Sequence, residues 1–540
     1  MKSFDEKRIS GDFHDVRSWS ARRRIGSLLV LYGVLFPTVA FGQWNSGNLN
    51  IAVGNGGTVT IPVGVNFSAT SNAVGIVKPT ILKGNASNNL PVGVGNLSSN
   101  IWGAFNAQKT DTTASLVDLV TNRVNAFNLP INMSFIDGAG QNRSTNDEAQ
   151  FNNKKWLNIN SGVQGTGLEY LHFRNVTINY TYNGTGAGGA ANGFIGSVSN
   201  NISDITMGDL TGNVFTNISV ALHGYTDKNY LAGGGVVGLR ATGELGASSA
   251  STHMGNIAGN VFKGVKVKTD HAAAATGTGS AYIEGGGVIG VNAVSSPDKK
   301  SGNAYIQSFG NNLFTDISVV SDDIILGGGL LGVNNNSQNS DASTYSWLLG
   351  VSNNAFGNGK LNGENSDIYV HSGYSLRGGG VIGVNALSNA AVRLDSLTNN
   401  VFAGIYVDVG TYLRGGGIVG LQSNDGTDDK YAVLPADLLP VTAYLGNVDR
   451  NLFFNLQTNV GTHANGGYFQ GGSMIGVRSN MGMASIYGVN NNIFKGLKVT
   501  VSKGNGTYAG LAGIIDGGGI VGASSLDKAS ILDVTGNYFD

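Results

Sequence analysis

Asn400-Val401-Phe402-Ala403-Gly404-Ile405-Tyr406-Val407, followed by Gly415-Gly416-Gly417-Ile418-Val419-Gly420-Leu421, is the stretch whose reading decides the fold. Its first half recurs along the chain. An Asn-apolar-Phe triplet places Asn at Asn213, Asn260, Asn312, Asn354, Asn400, Asn451, Asn492 and Asn537. The matching aromatics are Phe215, Phe262, Phe314, Phe356, Phe402, Phe453, Phe494 and Phe539. Their spacings run from 41 to 52 residues, inside the range that marks a solenoid or a propeller. The second half alternates with the first, beginning at Gly233, Gly285, Gly327, Gly378, Gly415 and Gly517, with Gly471-Gly472-Ser473 as a variant. After each Phe, apolar residues alternate with less apolar ones, the period of a strand. The glycine segment opens a second short, β-branched strand. A propeller blade needs four strands joined by tight hairpins, and fixed hairpin signals are lacking. The reading is therefore an all-β, right-handed parallel β-helix, the hand following from the crossover rule. Two strands recognised per period predict a double coil, about 17 coils and roughly 80 Å for residues 156–540.

Stacking assigns the recurring residues. Val237, Ile289, Leu331, Ile382, Val419, Ile475 and Val521 should form one interior ladder. Leu239, Val291, Val333, Val384, Leu421, Val477 and Ala523 should form its neighbour, and the Phe series the rest of the core. Arg240, Asn292, Asn334, Asn385, Gln422, Arg478 and Ser524 come next and are all polar, so this column should point outward or sit in a bend. Ala232, Glu284, Leu326, Arg377, Arg414, Gln470 and Asp516 precede the glycines, and their variety predicts exposure. The Asn column fits a hydrogen-bonded ladder at a left-handed bend better than a carbohydrate site. The glycines fit a corner better than a flat surface for another chain.

Composition narrows the class. Gly at 84 of 540 residues and only 12% charged residues exclude a charged disordered chain, and 8 Pro exclude collagen. Zero cysteines exclude disulfide scaffolds, zinc ribbons and thiol catalysis. A net charge of −1 gives no electrostatic reason to expect nucleic acid. Met1 to Arg24 is polar and basic, and Ile25 to Val39 is apolar, an order that reads as a signal peptide over residues 1–42, cut after Gly42. An uncleaved anchor is the alternative. Removing those residues takes away seven Lys+Arg and four Asp+Glu, leaving 26 and 30, a net of −4. Residues 43–155 are less periodic and should hold irregular first coils and a cap; the regular solenoid is expected from about Trp156 to Asp540, where the chain stops in mid-repeat. Asp111 to Phe127 carries Leu116, Val120 and Val124 at helical spacing, with Thr112 or Thr113 to cap it. This helix should cover the open end or decorate the side.

Gly-Gly-Gly-Ile-Val-Gly and Asn-Val-Phe-x-Gly-Ile-x-Val repeats, the basic signal region and the cysteine-free Gly/Asn-rich chain resemble passenger domains of bacterial autotransporters, the type V secretion systems. The resemblance covers most of residues 43–540 and implies a pectin-lyase-like β-helix on a Gram-negative surface, serving adhesion or aggregation. It implies an outer-membrane translocation barrel as partner, and glycans or proteins of host or bacterial surfaces as ligands. The barrel strands that normally follow such a passenger are missing from this sequence. No cofactor or metal is indicated: the seven histidines make no ligand spacing, and the Gly-Asp-Ser-Gly of passenger proteases is absent. Two functions stay open, a non-catalytic adhesin or structural passenger and a polysaccharide lyase or hydrolase. The acid groups Asp322-Asp323 and Asp425, Asp428, Asp429 read as solvated loop charges. The longest insertion, Asn424 to Ala443, widens the triplet-to-Phe interval from 22–29 residues to 38, and Asp425, Asp428, Asp429, Lys430 and Tyr431 on it are the candidate binding residues.

Overall fold

The computed structural model describes residues 51–540 except residues 53–57, 62–73, 78–80, 85–93, 130–132, 138–141, 146–156, 160–165, 183–189, 192, 200–203, 225–227, 244–250, 272–279, 296–301, 338–344, 388–390, 424–440, 463–465, 481, 503–513 and 526–527. The expected signal segment, residues 1–42, lies outside the described residues. Among the described residues no helix is long and apolar enough to cross a membrane.

Every strand pairs in parallel with the strand one repeat away. Val214 faces Val261, which faces Leu313; Val401 faces Leu452, which faces Ile493. The chain is an all-β parallel β-helix. One repeat is one coil, which corrects the expected double coil. A coil holds four strands, as in Val214–Gly224, Lys228–Gly234, Val237–Gly243 and Ser251–Ala258. The strand entering the glycines and the strand entering the Asn carry little sequence periodicity, so two of the four were invisible. We number the sheets in this order. Among the described residues they contain 12, 8, 11 and 13 strands. Eleven strands in the third sheet make a shaft of about 50 Å at the strand spacing, well short of the expected length. Pairing also reaches back beyond Trp156, through Val74–Val77 to Ile51–Ala52.

The interior follows the ladders read from sequence. Val237, Ile289, Leu331, Ile382, Val419 and Ile475 are fully buried and in register, and so are their partners two residues on as far as Val477. The Phe column starts one copy earlier, at Phe173, and stacks ring on ring to Phe539 with centroids 4.6–5.2 Å apart. This offset contact adds roughly 0.5–1.5 kcal/mol per pair beyond the area buried.

Each bend before a Phe is closed by an Asn. The backbone N–H and Nδ2 of Asn354 both donate to Oδ1 of Asn400, at 3.0 and 2.9 Å, while Nδ2 also reaches the carbonyl of Phe309, 3.0 Å away. The same set links Asn213 to Asn260 and Asn492 to Asn537. The left-handed residue is the one before the ladder Asn. Gly212, Gly259, Asn311, Asn353, Asn399, Arg450, Asn491 and Gly536 have φ from 53° to 69°. The ladder Asn therefore supplies hydrogen bonds, and its neighbour supplies the turn.

The glycines make an acute corner. The first glycine of each triplet has positive φ, 97° at Gly327 and 107° at Gly378. A Cβ on Gly332 would lie 1.7 Å from the carbonyl oxygen of Gly285, so backbone already fills the space a side chain would need. The corner reading is right for the inner coils, and among the described triplets only the last has a glycine, Gly519, with nothing within 4 Å of where a Cβ would stand.

Two helices lie along the side of the shaft. The expected one, α2 (Thr113–Asn125), is capped by Thr112, whose side chain accepts from the N–H of Ser115. The other, α1 (Val94–Ala107), was not foreseen. Both pack on the outward-pointing middle residues of the Asn-apolar-Phe triplets, Val214 to Ile493, so the pair is a lateral decoration.

Candidate functional site

The recurring polar residues prove internal. Asn213, Asn260, Asn312, Asn354, Asn400, Asn451 and Asn492 are inaccessible, which removes the carbohydrate alternative for that column. Two other expectations are corrected. Asn292, Asn334, Asn385, Gln422, Arg478 and Ser524 are buried, where an outward or bend position was expected. Ala232, Glu284, Leu326 and Gln470, expected to be exposed, are buried as well, whereas Asp516 is exposed. The acute glycine corner is the cause, because it folds the outer surfaces of the second and third sheets against each other. Glu284 Oε2 thus accepts from Asn292 Nδ2 at 2.7 Å, and Asn334 Nδ2 and Asn385 Nδ2 continue the chain coil by coil at 2.9 and 2.7 Å.

The acid groups divide. Asp322 and Asp323, read as solvated, tie neighbouring coils together: Asp322 Oδ2 accepts from the N–H of His271, and Asp323 Oδ2 from His271 Nε2 and the N–H of Ala281. Two further histidines meet an Asp one coil on, His223 with Asp270 and His371 with Asp408. Among the described residues no group of three or more His, Asp or Glu could hold a metal ion. Asp425, Asp428, Asp429, Lys430 and Tyr431 lie outside the described residues. The strand Val441–Asp449 begins where the loop was expected to continue, so the insertion ends at Pro440.

What the sequence reading overlooked stands seven residues before each ladder Asn. There the chain places Thr206, His253, Tyr305, Trp347, Arg393, Tyr444, Ser485 and Ser530, one per coil. Register pairing runs through all eight in order, so they form one straight row on the outer face of the fourth sheet, in which Thr206 and Ser485 are buried. The alternation of a half-buried strand forces this outward direction: Met254, Ile306, Leu348, Leu394 and Leu445, one position on, are buried. His253 and Tyr305 stack at 4.7 Å and 6°. The Arg393 guanidinium lies 5.0 Å from the Trp347 ring and 5.3 Å from that of Tyr444, a cation between two aromatic faces. Asp395 pairs with Arg393 Nε. Tyr345 meets Trp347 edge to face at 5.6 Å, and Tyr487, 53% exposed, stands on the same sheet.

At the His253 end of the row burial favours the neutral form of both titratable side chains. Burial holds the His253 imidazole below its ordinary range, against a smaller opposing effect of Asp204. Burial, helped by Tyr345 and Asp204, pushes the Tyr305 hydroxyl above its own. The more accessible middle of the row, from His253 to Tyr444, offers aromatic edges, tyrosine hydroxyls and one arginine cation at about 5 Å intervals, along which an extended ligand can lie. Aligning the internal copies on Asn would have exposed the column. Its residue types vary so much that no repeated motif marks it.

No protein-family model, no curated protein and no solved structure matches this chain.

Proposed function

We propose that the chain is an exported passenger of the autotransporter kind, displayed on a Gram-negative surface, and that it is a non-catalytic adhesin. One observation carries this reading: an outward row of aromatic residues and one arginine follows the shaft axis, while the repeated Asn, Phe and Gly residues are engaged in holding the shaft together. Binding through such a row needs no convergent catalytic groups. It needs a rigid support that repeats its contacts, and the β-helix is one. A surface glycan or an extended protein segment is the partner that this chemistry suits. The signal-like N-terminus supports export, and a translocation barrel would come from outside this sequence.

The test joins the chain to an outer-membrane barrel on cells that do not otherwise attach. Combining Trp347→Ala, Arg393→Ala and Tyr444→Ala should lower attachment by at least about tenfold, the scale of losing aromatic and arginine anchors, with surface display unchanged. Unchanged attachment would remove the row from consideration. A companion deletion of residues 425–440 asks whether the insertion contributes. Purified chain that releases new chain ends from polysaccharides would overturn the non-catalytic reading in favour of a lyase or hydrolase.

A further inference from the structure

The helical pair belongs to none of the four sheets. It is held mainly by apolar side chains, with Ile101, Phe105, Leu116 and Val120 buried against Val261, Leu313, Val401, Leu452 and Ile493, and Phe105 edge-on to Phe454 at 4.9 Å. Few polar contacts accompany them. Asn399 Nδ2 donates to Ser99 Oγ at 2.5 Å, Thr121 Oγ1 donates to the carbonyl of Asn358 at 2.8 Å, and Lys109 sits over the Tyr538 ring at 5.3 Å. Lifting the pair away would break no coil-to-coil ladder. It would bare a straight apolar stripe on the shaft and the apolar faces of two helices. Those helices have 14 and 13 residues, too short to be stable alone in water.

We propose that this stripe is an interface for a second copy of the chain, formed by exchange of the α1–α2 pair between two shafts. Every copy carries the same stripe and the same pair, so reciprocal exchange restores each contact and leaves mainly the cost of association. The pair also touches coils far away in sequence, reaching Tyr538 from Lys109 across 429 residues. Helices made early must therefore wait for coils made late, and during that wait a completed neighbour offers an equivalent stripe. The proposal is independent of what the displayed protein attaches to.

The chain has no cysteine, so the contact can be tested by disulfide trapping. A chain carrying both Ser99→Cys and Asn399→Cys should close an intrachain disulfide in dilute solution; failure to do so would overturn the docking itself. For exchange, two separate chains, one with Ser99→Cys and one with Asn399→Cys, are refolded together over a range of concentrations. An interchain disulfide between them should form at least about tenfold faster than between Ser99→Cys and Tyr487→Cys chains, because docking raises the effective concentration of the pair. Tyr487 lies on the fourth sheet and serves as the collision control. Equal rates for the two mixtures at every concentration would overturn the exchange.

Discussion

Asn400 is buried and makes more hydrogen bonds than a strand residue ordinarily can. Its Nδ2 serves the carbonyls of Val351 and Thr398 and Oδ1 of Asn451, while its own Oδ1 accepts twice from Asn354. Asn400→Ala leaves several of those groups unpaired in a dry bend, so it should cost roughly 2–4 kcal/mol, read as a lower denaturant midpoint. Phe402→Ala should cost about 3–5 kcal/mol, whereas Phe539→Ala, at a ring 51% exposed, should cost far less; equal effects would contradict the stack. Asp367 gives a pH signature. Burial is the main cause that raises its carboxyl to about 6, only partly opposed by hydrogen bonds from the backbone of Asp316 and Asn358. A raised native pKa means that stability is fully present below the unfolded value of 3.8 and is lost as pH rises through about 6. Asp367→Asn should therefore gain roughly 2–3 kcal/mol at pH 7 and almost nothing at pH 3.5, measured as the difference between the two unfolding curves. The Phe and Asn roles could be read in the sequence because eight copies repeat one residue type. The left-handed position could not, because Gly, Asn and Arg450 all occupy it. The buried polar columns were misread for a different reason. Glu284 and Asn292 are eight residues apart, and only an acute corner makes them neighbours.

At the scale of the element, the two helices show what periodicity can and cannot reveal. In α2 the apolar positions Leu116, Val120 and Val124 follow a threonine cap in a stretch without glycine or proline, and the helix was legible. In α1 the positions Leu97, Ile101 and Phe105 keep the same spacing, but Gly95, Gly103 and four Asn or Ser residues between them lower the propensity, so tertiary packing decides. Gly103 is exposed, and a Cβ there meets nothing within 4 Å. Gly103→Ala should add about 0.5–1 kcal/mol to thermal stability. Gly332→Ala should prevent folding or cost more than about 4 kcal/mol, since its Cβ would enter the Gly285 backbone. If both alanine variants behaved alike, the corner would be wrong. The strand entering the Asn was unreadable because one register position changes in size and type from coil to coil, as at Thr252, Ala304, Ser346 and Val392 or at Ile257, Phe309, Val351 and Leu397.

For the whole molecule, the fold class followed from the repeat, but the number of coils did not, since a period alone cannot say how many times the chain turns within it. The coil that holds Lys528–Ile531 leaves Ile531, Leu532, Val534 and Phe539 38–53% exposed, so amide exchange should be fastest there and slowest near Phe402. One turn per repeat also has a mechanical meaning. Each coil stores 41–52 residues, roughly 140–180 Å of extended chain, in a rise of about 5 Å along the axis. A shaft pulled from its end would behave as a spool rather than a spring. Under load it should pay out chain in steps of about 15 nm, each step yielding one complete turn while the remaining turns stay wound.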